Sequence, residues 1–239
     1  NGMEESVEAM RRGRPYCMGA LYWQINDSWP VVSWSSIDYY NNWKAQHYRM
    51  RDVFAPLALG IENRDGKLNF YTMSDYLNDH DDLLLTVQVV NFSDGIKNEL
   101  KEKVIAKANN SKIVKTINIS DMVSEKEKSH TMIRSFLSDN DGNIISTKDY
   151  FFFWPNKLEL PETNVESRIS YKDGECIVTL SSKKLVKDVF LEIPVLGAKF
   201  SDNFIDLLPG EKKTIIITSP DLKSSDKTPV TIKHIRQTY

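Results

Sequence analysis

The sequence predicts a mainly β protein in which a short α/β segment precedes two β-sandwiches. Two observations predict this fold class. From Pro56 onward, short segments rich in β-branched and aromatic residues alternate with turns rich in Gly, Asn and Asp, which is typical of sandwiches. Before Pro56, an uncharged apolar run lies between two segments with helical spacing, which is typical of a parallel strand covered by helices.

Three elements are predicted in the first 55 residues. A helix over residues 3–13 is followed by Gly13 and Pro15, which end it. Tyr16–Gln24 is predicted as a strand with two apolar faces, and a second helix runs from about Asn42 to Phe54. The apolar faces of the two helices are formed by Met3, Val7 and Met10, and by Trp43, His47, Met50 and Phe54. Because one parallel strand needs neighbours, we interpret this segment as the last helix–strand–helix unit of a larger domain. The alternative is that Tyr16–Gln24 joins a sandwich as an extra strand.

Two groups of strands follow, each the size of an immunoglobulin-like domain. The first group comprises Lys67–Met73, Leu83–Phe92, Ile113–Ile119, Thr131–Leu137 and Ile144–Phe153. The second comprises Glu166–Tyr171, Cys176–Ser181, Val186–Ile193, Phe204–Leu207 and Thr214–Ser219, with a turn at Lys172–Glu175. Asn156–Glu162 is predicted as the linker. The predicted domains are therefore residues 1–55, 56–156 and 157–239.

The turn at Asp139–Asn143 resembles a calcium-binding loop in its spacing of Asp and Asn. Gly142 is misplaced for such a loop, and the closing glutamate is absent. We therefore predict a plain hairpin turn.

Composition excludes several classes of protein. Of 239 residues, 41% are hydrophobic and 27% charged, with 31 Lys and Arg against 33 Asp and Glu. No apolar run approaches the roughly 20 residues of a membrane span, and this charge balance does not favour phosphate backbones. We therefore expect neither a membrane nor nucleic acid as a partner. The two cysteines, Cys17 and Cys176, are predicted to be buried thiols. The first residues lack a signal peptide, which leaves the compartment open in a truncated chain.

Aromatic and polar side chains are concentrated between residues 22 and 43. Four of the five tryptophans lie there: Trp23, Trp29, Trp34 and Trp43. Aromatic faces stack on sugar rings, and neighbouring amides and carboxylates bind hydroxyls, so this mixture indicates a carbohydrate site. Trp43 falls on the helix stripe and is expected in the core. Trp23 and Trp29 flank Asn26 and Asp27 just after the predicted strand, where we expect them to face a ligand.

Other chemistry is not indicated. Asp27 and Asp38 are the acids of this stretch, and nothing identifies them as a catalytic pair, so ligand binding or bracing of the loop is expected of both. The four histidines, His47, His80, His130 and His234, lack metal-ligand spacing. No phosphate-binding glycine loop or nucleophile elbow occurs. We expect no cofactor and no metal.

Residues 14–48 resemble the β-mannosidases of glycoside hydrolase family 2. The resemblance is carried by Arg14–Asp27, Ser28–Pro30, Ser33–Tyr40, Trp43–Lys44 and His47–Tyr48, and Asp202–Glu211 resembles a motif of the last domain. It implies two immunoglobulin-like β-sandwiches preceded by the last helix–strand–helix unit of a catalytic (β/α)8 TIM barrel. Ser28 stands where the family often has cysteine, a difference that we do not expect to affect chemistry.

The resemblance also implies an activity. Family 2 β-mannosidases are retaining exo-hydrolases that remove terminal β-D-mannose through two glutamates. Neither Glu4 nor Glu5 matches those glutamates, so the catalytic pair would precede Asn1, and this chain alone would be inactive. By the same resemblance Trp23 would form the floor or wall of the sugar site, whereas Asn26, Asp27 and Trp29 would shape its rim or brace the loop. The implied partners are a β-mannoside oligosaccharide and the rest of the barrel.

Three alternatives remain at this point. The parent could have a neighbouring family 2 activity such as exo-β-glucosaminidase. The chain could be a non-catalytic carbohydrate-binding or adhesive module, or its sandwiches could only brace the barrel or build a dimer interface. Since an unpaired strand edge recruits other chains, Tyr16–Gln24 is expected either to dock on the first sandwich or to make the fragment a homo-oligomer.

Overall fold

The computed structural model describes residues 2–172, 174–223 and 228–238. The chain forms two compact units. The first unit comprises Asn1–Leu21 and Arg49–Glu159, and the second comprises Tyr22–Tyr48 and Leu160–Tyr239. Each contains two antiparallel sheets, which confirms the mainly β fold class. None of the helices in the described part of the chain combines the length and the apolar character needed to cross a membrane.

The first unit contains helix α1 and seven strands. The helix spans Gly2–Arg12 and the strands are β1 (Leu57–Arg64), β2 (Lys67–Ser74), β3 (His80–Asn91), β4 (Gly95–Ala106), β5 (Ser111–Asn118), β6 (Thr131–Ser138) and β7 (Ile144–Phe151). Helix α2, Ala45–Val53, includes residues of both units. Short 3-10 helices occur at Ile119–Asp121, Lys128–His130 and Pro155–Lys157. One sheet has the order β1-β2-β5 and the other β4-β3-β6-β7.

The core of the first unit lies between these sheets. Alternate residues of the strands point inward, and the fully buried ones include Leu68, Phe70, Leu85, Ile133 and Leu137. Each buried Phe or Leu side chain contributes roughly 1.5–3 kcal/mol through the apolar area removed from water. Five of these seven strands, all except β1 and β4, were predicted from the sequence.

Two strands of this unit were missing from the sequence interpretation. β1 has a nearly continuous apolar start, and β4 exposes alternate residues that are charged, including Lys97, Glu99 and Lys101. β4 is an edge strand, where such charges limit pairing with other chains. Its high polarity hid the period-2 pattern.

The turn at Asp139–Asn143 has the predicted plain form. The Asp139 carboxylate accepts hydrogen bonds from the backbone N–H groups of Asn143 at 2.8 Å and Asp141 at 3.0 Å. Gly142 has φ of 84°, a left-handed conformation that glycine adopts at low cost. The Asn143 side chain also donates to this carboxylate, at 3.0 Å from Nδ2. The bond from the Asn143 side chain, followed by the backbone bonds, lowers the pKa of Asp139 and holds the carboxylate within its own turn.

Side chains of α1 and β7 reach the edge of β1 that β2 does not pair. The outward backbone N–H of Ile61 donates to Glu8 Oε1 at 3.0 Å, and that of Leu59 donates to Ser146 Oγ at 3.0 Å. Side chains therefore satisfy donors that an uncovered edge strand would offer to another chain.

A charge network fixes α1 in this place. Lys148 Nζ of β7 lies 2.6 Å from both Glu4 Oε1 and Glu8 Oε2. Burial alone would raise the pKa of Glu4, but Lys148 and Arg49 bring it below its usual value. The same carboxylates hold the pKa of Lys148 above its usual value, against the effect of burial. Glu4 and Lys148 are therefore both charged at neutral pH.

The described residues of the second unit form seven shorter strands. They are β8 (Glu166–Lys172), β9 (Glu175–Ser181), β10 (Val186–Glu192), β11 (Lys199–Phe200), β12 (Ile205–Leu207), β13 (Lys212–Thr218) and β14 (Thr231–Lys233), followed by a 3-10 helix at Ile235–Thr238. The sheets have the orders β11-β13-β9-β8 and β12-β10-β14. Buried residues between them include Val178, Leu180, Leu191, Ile215 and Ile217. All five predicted strands of this group are present. Asp173 of the predicted turn lies outside the described residues.

The segment Tyr16–Gln24 does not form the predicted strand. It has no regular structure, and the side chains of Tyr16 and Leu21 are each 98% exposed. A strand is stable only when its backbone groups are paired, and no strand of the described residues pairs with this segment. For the same reason it is not an extra strand of either sandwich.

The predicted helix faces are also corrected. In α1, Met3 and Met10 are exposed, and the buried residues are Val7, Glu8 and Arg11. In α2, Phe54 lies just beyond the helix end and is exposed, whereas Tyr48, Met50 and Val53 are buried. α1 is held by polar contacts of residues distant in sequence, which hydrophobic periodicity does not detect.

A pH-dependent stability is expected from His234. This side chain is 8% exposed, burial lowers its pKa from the usual 6.5, and its Nδ1 atom has no hydrogen-bond partner among the described residues. The folded state therefore binds this proton less readily than the unfolded state, so the stability is full above pH 6.5 and decreases as the pH falls towards the folded pKa. Urea unfolding of the second unit at pH 7.5 and 5.5 measures this. His234→Phe should reduce the difference, and an unchanged pH slope in that variant would count against the assignment.

Candidate functional site

The aromatic stretch, residues 22–44, forms an irregular loop in the second unit, and we call it the aromatic loop. Its two halves are joined by isolated bridges, one between Asn26 and Ile37 and one between Ile37 and Trp43. Ile37 N–H donates to the Ile25 carbonyl at 2.8 Å, and Asp27 N–H donates to the Ile37 carbonyl at 3.1 Å. The backbone therefore folds back on itself without forming a sheet. The peptide bond between Trp23 and Gln24 is cis.

Ser36 connects three parts of this loop. Its hydroxyl is fully buried and donates to the Ile25 carbonyl at 3.0 Å. It also lies 3.1 Å from Tyr22 OH and 3.1 Å from His47 Nδ1. Since the hydroxyl has one proton, which the carbonyl accepts, Tyr22 and His47 act as the donors. The residue before Trp23 is thereby fixed to the first turn of α2.

Asp27 is the centre of a second polar group. Its Oδ1 accepts from Ser33 Oγ at 2.5 Å, and its Oδ2 accepts from Ser35 Oγ at 2.6 Å. Lys44 Nζ lies 3.4 Å from Oδ2 and donates to Ser35 Oγ at 2.8 Å. The hydrogen bonds from Ser33 and Ser35, together with Lys44, lower the pKa of Asp27. We call Asp27, Ser33, Ser35 and Lys44 the Asp27 cluster.

Asp38 closes a separate turn of the same loop. Its carboxylate accepts from Asn42 N–H at 2.8 Å and from Asn42 Nδ2 at 3.0 Å. The intervening Asn41 has φ of 65°. Both acids of the loop are thus hydrogen-bonded to the loop itself.

The tryptophans fall into two groups. The side chains of Trp23, Trp29 and Trp34 are 75%, 65% and 66% exposed. Trp43 is half-buried, with its ring 5.4 Å from Tyr48 and Lys199 Nζ 5.5 Å above it. Tyr48 in turn packs 6.0 Å from Phe204 of the C-terminal sandwich. Trp43 is therefore part of the packing that anchors the loop, and the other three present free aromatic faces.

The predicted site residues are partly brought together. Trp23, Asn26 and Trp29 are exposed, and Asn26 Nδ2 donates to the Asp27 carbonyl at 3.3 Å. Asp27 is buried below the loop surface. Sequence reasoning did not single out Ser33, Ser35 and Lys44, which hold the loop together with Ser36. A run of serines in a loop without glycine was the signal that could have found them, because buried hydroxyls brace irregular backbone.

Comparison with known proteins identifies both sandwiches. Residues 66–157 match the mannosidase Ig/CBM-like domain family, and residues 160–238 match the Ig-fold domain family of mannosidases. The chain is a C-terminal part of a glycoside hydrolase family 2 protein. The sequence resemblance to this family is thereby confirmed.

Individual relatives and a solved structure point to the same family. A β-mannosidase of Capra hircus is 32% identical over 198 residues, covering 80% of this chain and 22% of the relative. A β-mannosidase of Mus musculus is 28% identical over 236 residues, covering 95% of this chain and 26% of the relative. The crystal structure of a β-D-mannosidase from Dictyoglomus thermophilum matches 97% of this chain and 28% of that one, with a TM-score of 0.79 and 25% identity.

The exo-chitosanase CsxA of Amycolatopsis orientalis shares the fold. The structural match covers 97% of this chain and 32% of the exo-chitosanase chain, with a TM-score of 0.71 and 16% identity. The chain thus spans about a quarter of the length of the curated relatives it matches.

Proposed function

We propose that this chain is the C-terminal part of an exo-acting, retaining β-mannosidase and that its aromatic loop forms one wall of the site for the terminal mannose. The observation that carries the proposal is the exposure of Trp23 on a backbone held by buried polar groups. An aromatic face presented in this way stacks on the apolar face of a sugar ring. The β-mannosidase relatives, aligned over most of the chain, support mannose as the sugar.

The catalytic carboxylates belong to another part of the parent protein. A retaining glycosidase needs two carboxyl groups about 5–5.5 Å apart, one as nucleophile and one as acid and base. In the aromatic loop, Asp27 and Asp38 are each occupied with hydrogen bonds that close the loop. We therefore place the catalytic glutamates upstream of Asn1, and we propose that the chain by itself does not hydrolyse mannosides.

Residues 1–55 are then the last helix–strand–helix unit of the catalytic (β/α)8 barrel. In that setting the exposed segment Tyr16–Gln24 is the barrel strand, which acquires its hydrogen-bond partners from the rest of the barrel. Residues 56–156 and 157–239 are the two immunoglobulin-like domains. Asn26 and Trp29 shape the rim of the site, and Asp27 braces it.

The test compares the full-length protein with this chain on aryl β-mannosides. We expect the full-length protein to cleave the mannoside and the chain alone to be inactive. Trp23→Ala removes a stacking face worth about 2–3 kcal/mol, so kcat/KM should fall roughly 30- to 150-fold. Trp154→Ala is the matched control, because Trp154 is 64% exposed on the first unit and should leave kcat/KM unchanged.

Three results would contradict the proposal. Equal losses in the Trp23 and Trp154 variants would place the sugar site elsewhere. Cleavage of an aryl β-glucosaminide in preference to the mannoside would assign the parent to a different family 2 activity. Saturable quenching of tryptophan fluorescence by mannose in the chain alone would favour a binding module.

A further inference from the structure

The Asp27 carboxylate is fully engaged with protein groups. Oδ1 accepts from Ser33, and Oδ2 accepts from Ser35 and lies near Lys44. The side chain of Asp27 is only 2% exposed. A carboxylate at this depth is out of reach of a sugar hydroxyl, so any effect of Asp27 on substrate must act through other residues.

The cluster closes the segment between Asp27 and Ser35. Residues 28–34 contain no helix and no strand, so ladder hydrogen bonds do not order them. This segment carries Trp29 and Trp34, both about two-thirds exposed. An irregular segment with large exposed aromatic side chains stays in one conformation only when its ends are fixed.

The hydrogen bonds that fix this segment come from three points of the chain and meet at the Asp27 carboxylate. Ser33 Oγ also accepts from Ser35 N–H at 3.1 Å, and Ser35 Oγ lies 3.0 Å from the Ile37 carbonyl. Lys44 stands just before α2, and its N–H donates to the Ser36 carbonyl at 2.9 Å. Removing the Asp27 carboxylate would leave the two hydroxyls and the ammonium group without their common acceptor.

We infer that Asp27 is a positioning residue that holds Trp29 and Trp34 in place and thereby sets the affinity for the glycoside without touching it. This inference rests on the proposed function for its substrate, a mannoside oligosaccharide. Fixing the two indoles before the sugar arrives avoids their ordering cost on binding. This role differs from that of a residue that binds the substrate, because the effect of Asp27 depends on the presence of Trp29 and Trp34.

The first experiment needs no substrate. Amide hydrogen exchange across residues 27–37 is measured in this chain for the wild type, Asp27→Asn and Asp38→Asn. We expect Asp27→Asn to increase exchange in residues 28–36 at least tenfold. Asp38→Asn is the matched control, since Asp38 closes the 38–42 turn and should leave residues 28–34 unaffected. Unchanged exchange in Asp27→Asn would overturn the inference.

The second experiment uses the full-length protein and a double-mutant cycle. Asp27→Asn should raise KM for a mannoside oligosaccharide about tenfold and change kcat less than twofold, with an unchanged melting temperature. In the Trp29→Ala, Trp34→Ala background the same substitution should have no further effect on KM. Ser33→Ala with Ser35→Ala should reproduce the effect of Asp27→Asn.

The outcomes separate this inference from the proposed function. Additive effects of Asp27→Asn and the tryptophan substitutions would mean that Asp27 contacts the substrate directly, which would overturn the inference. A wild-type full-length protein that cleaves no mannoside would contradict the proposed function, and the exchange experiment would still decide whether Asp27 orders the loop.

Discussion

Replacing Lys148 by methionine is expected to destabilise the first unit by about 3 kcal/mol. The substitution leaves the carboxylate of Glu8, whose side chain is 3% exposed, and that of Glu4 without the cation that lies 2.6 Å from each. Removing one partner of a buried ion pair costs roughly 3–5 kcal/mol. Arg12 still lies 2.5 Å from Glu8 Oε1 and Arg49 4.0 Å from Glu4 Oε2, so part of the charge stays compensated. Glu4 is less buried than Glu8, so the lower end of this range applies. Urea unfolding of the first unit gives the free energy.

Two controls test the explanation. Lys97→Met removes an exposed ion pair with Asp94, also 2.6 Å long, and should change the free energy of unfolding by less than about 1 kcal/mol. Adding Glu4→Gln and Glu8→Gln to the Lys148 variant should restore part of the lost stability. A Lys148 variant as stable as the Lys97 variant would show that the network does not fix α1.

The substitution Asn203→Ala is expected to destabilise the second unit by a similar amount, about 3 kcal/mol. Asn203 is buried, and its amide stands where β12 would otherwise continue beside β10. Oδ1 accepts from Leu191 N–H at 2.9 Å, and Nδ2 donates to the Leu191 carbonyl at 2.9 Å. Alanine would leave both buried backbone groups unpaired, at roughly 1–3 kcal/mol each.

The control for this prediction is Asn118→Ala. Asn118 is exposed and its Nδ2 donates to Asp121 at 2.8 Å, so its loss should cost less than about 0.5 kcal/mol. Urea unfolding and the exchange of the Leu191 amide measure the two variants. An Asn203→Ala variant as stable as Asn118→Ala would contradict the prediction, because water would then have replaced both bonds to Leu191.

The sandwiches were largely predictable because their strands are local in sequence. The alternation in Lys67–Ser74 fixes which side chains face the core, and the turns between strands carry Gly, Asn and Asp. β4 was not predicted, because an edge strand exposes its charged face and therefore has a highly polar sequence. The division into domains at residues 55 and 156 remains a prediction.

Interactions between distant residues could not be predicted in the same way. Tyr16–Gln24 has the composition of a strand, but pairing depends on a partner that the sequence pattern of the segment does not specify. In α1, the apolar stripe pointed to Met3 and Met10, whereas the contacts are made by Glu8 and Arg11. Arg11 donates to the carbonyls of Val53 and Ala55, more than 40 positions along the chain.

In the candidate site, too, some features follow from the local sequence and others depend on contacts between distant residues. Sequence by itself determined the two sandwiches, the family resemblance and the concentration of tryptophans in residues 22–43, because each depends on the identity and spacing of neighbouring residues. Only the tertiary structure decided that Trp23 and Trp29 are exposed while Asp27 is buried. The physical reason is that burial of a carboxylate requires donors, and the donors to Asp27 come from Ser33, Ser35 and Lys44, which the folded loop brings to one point.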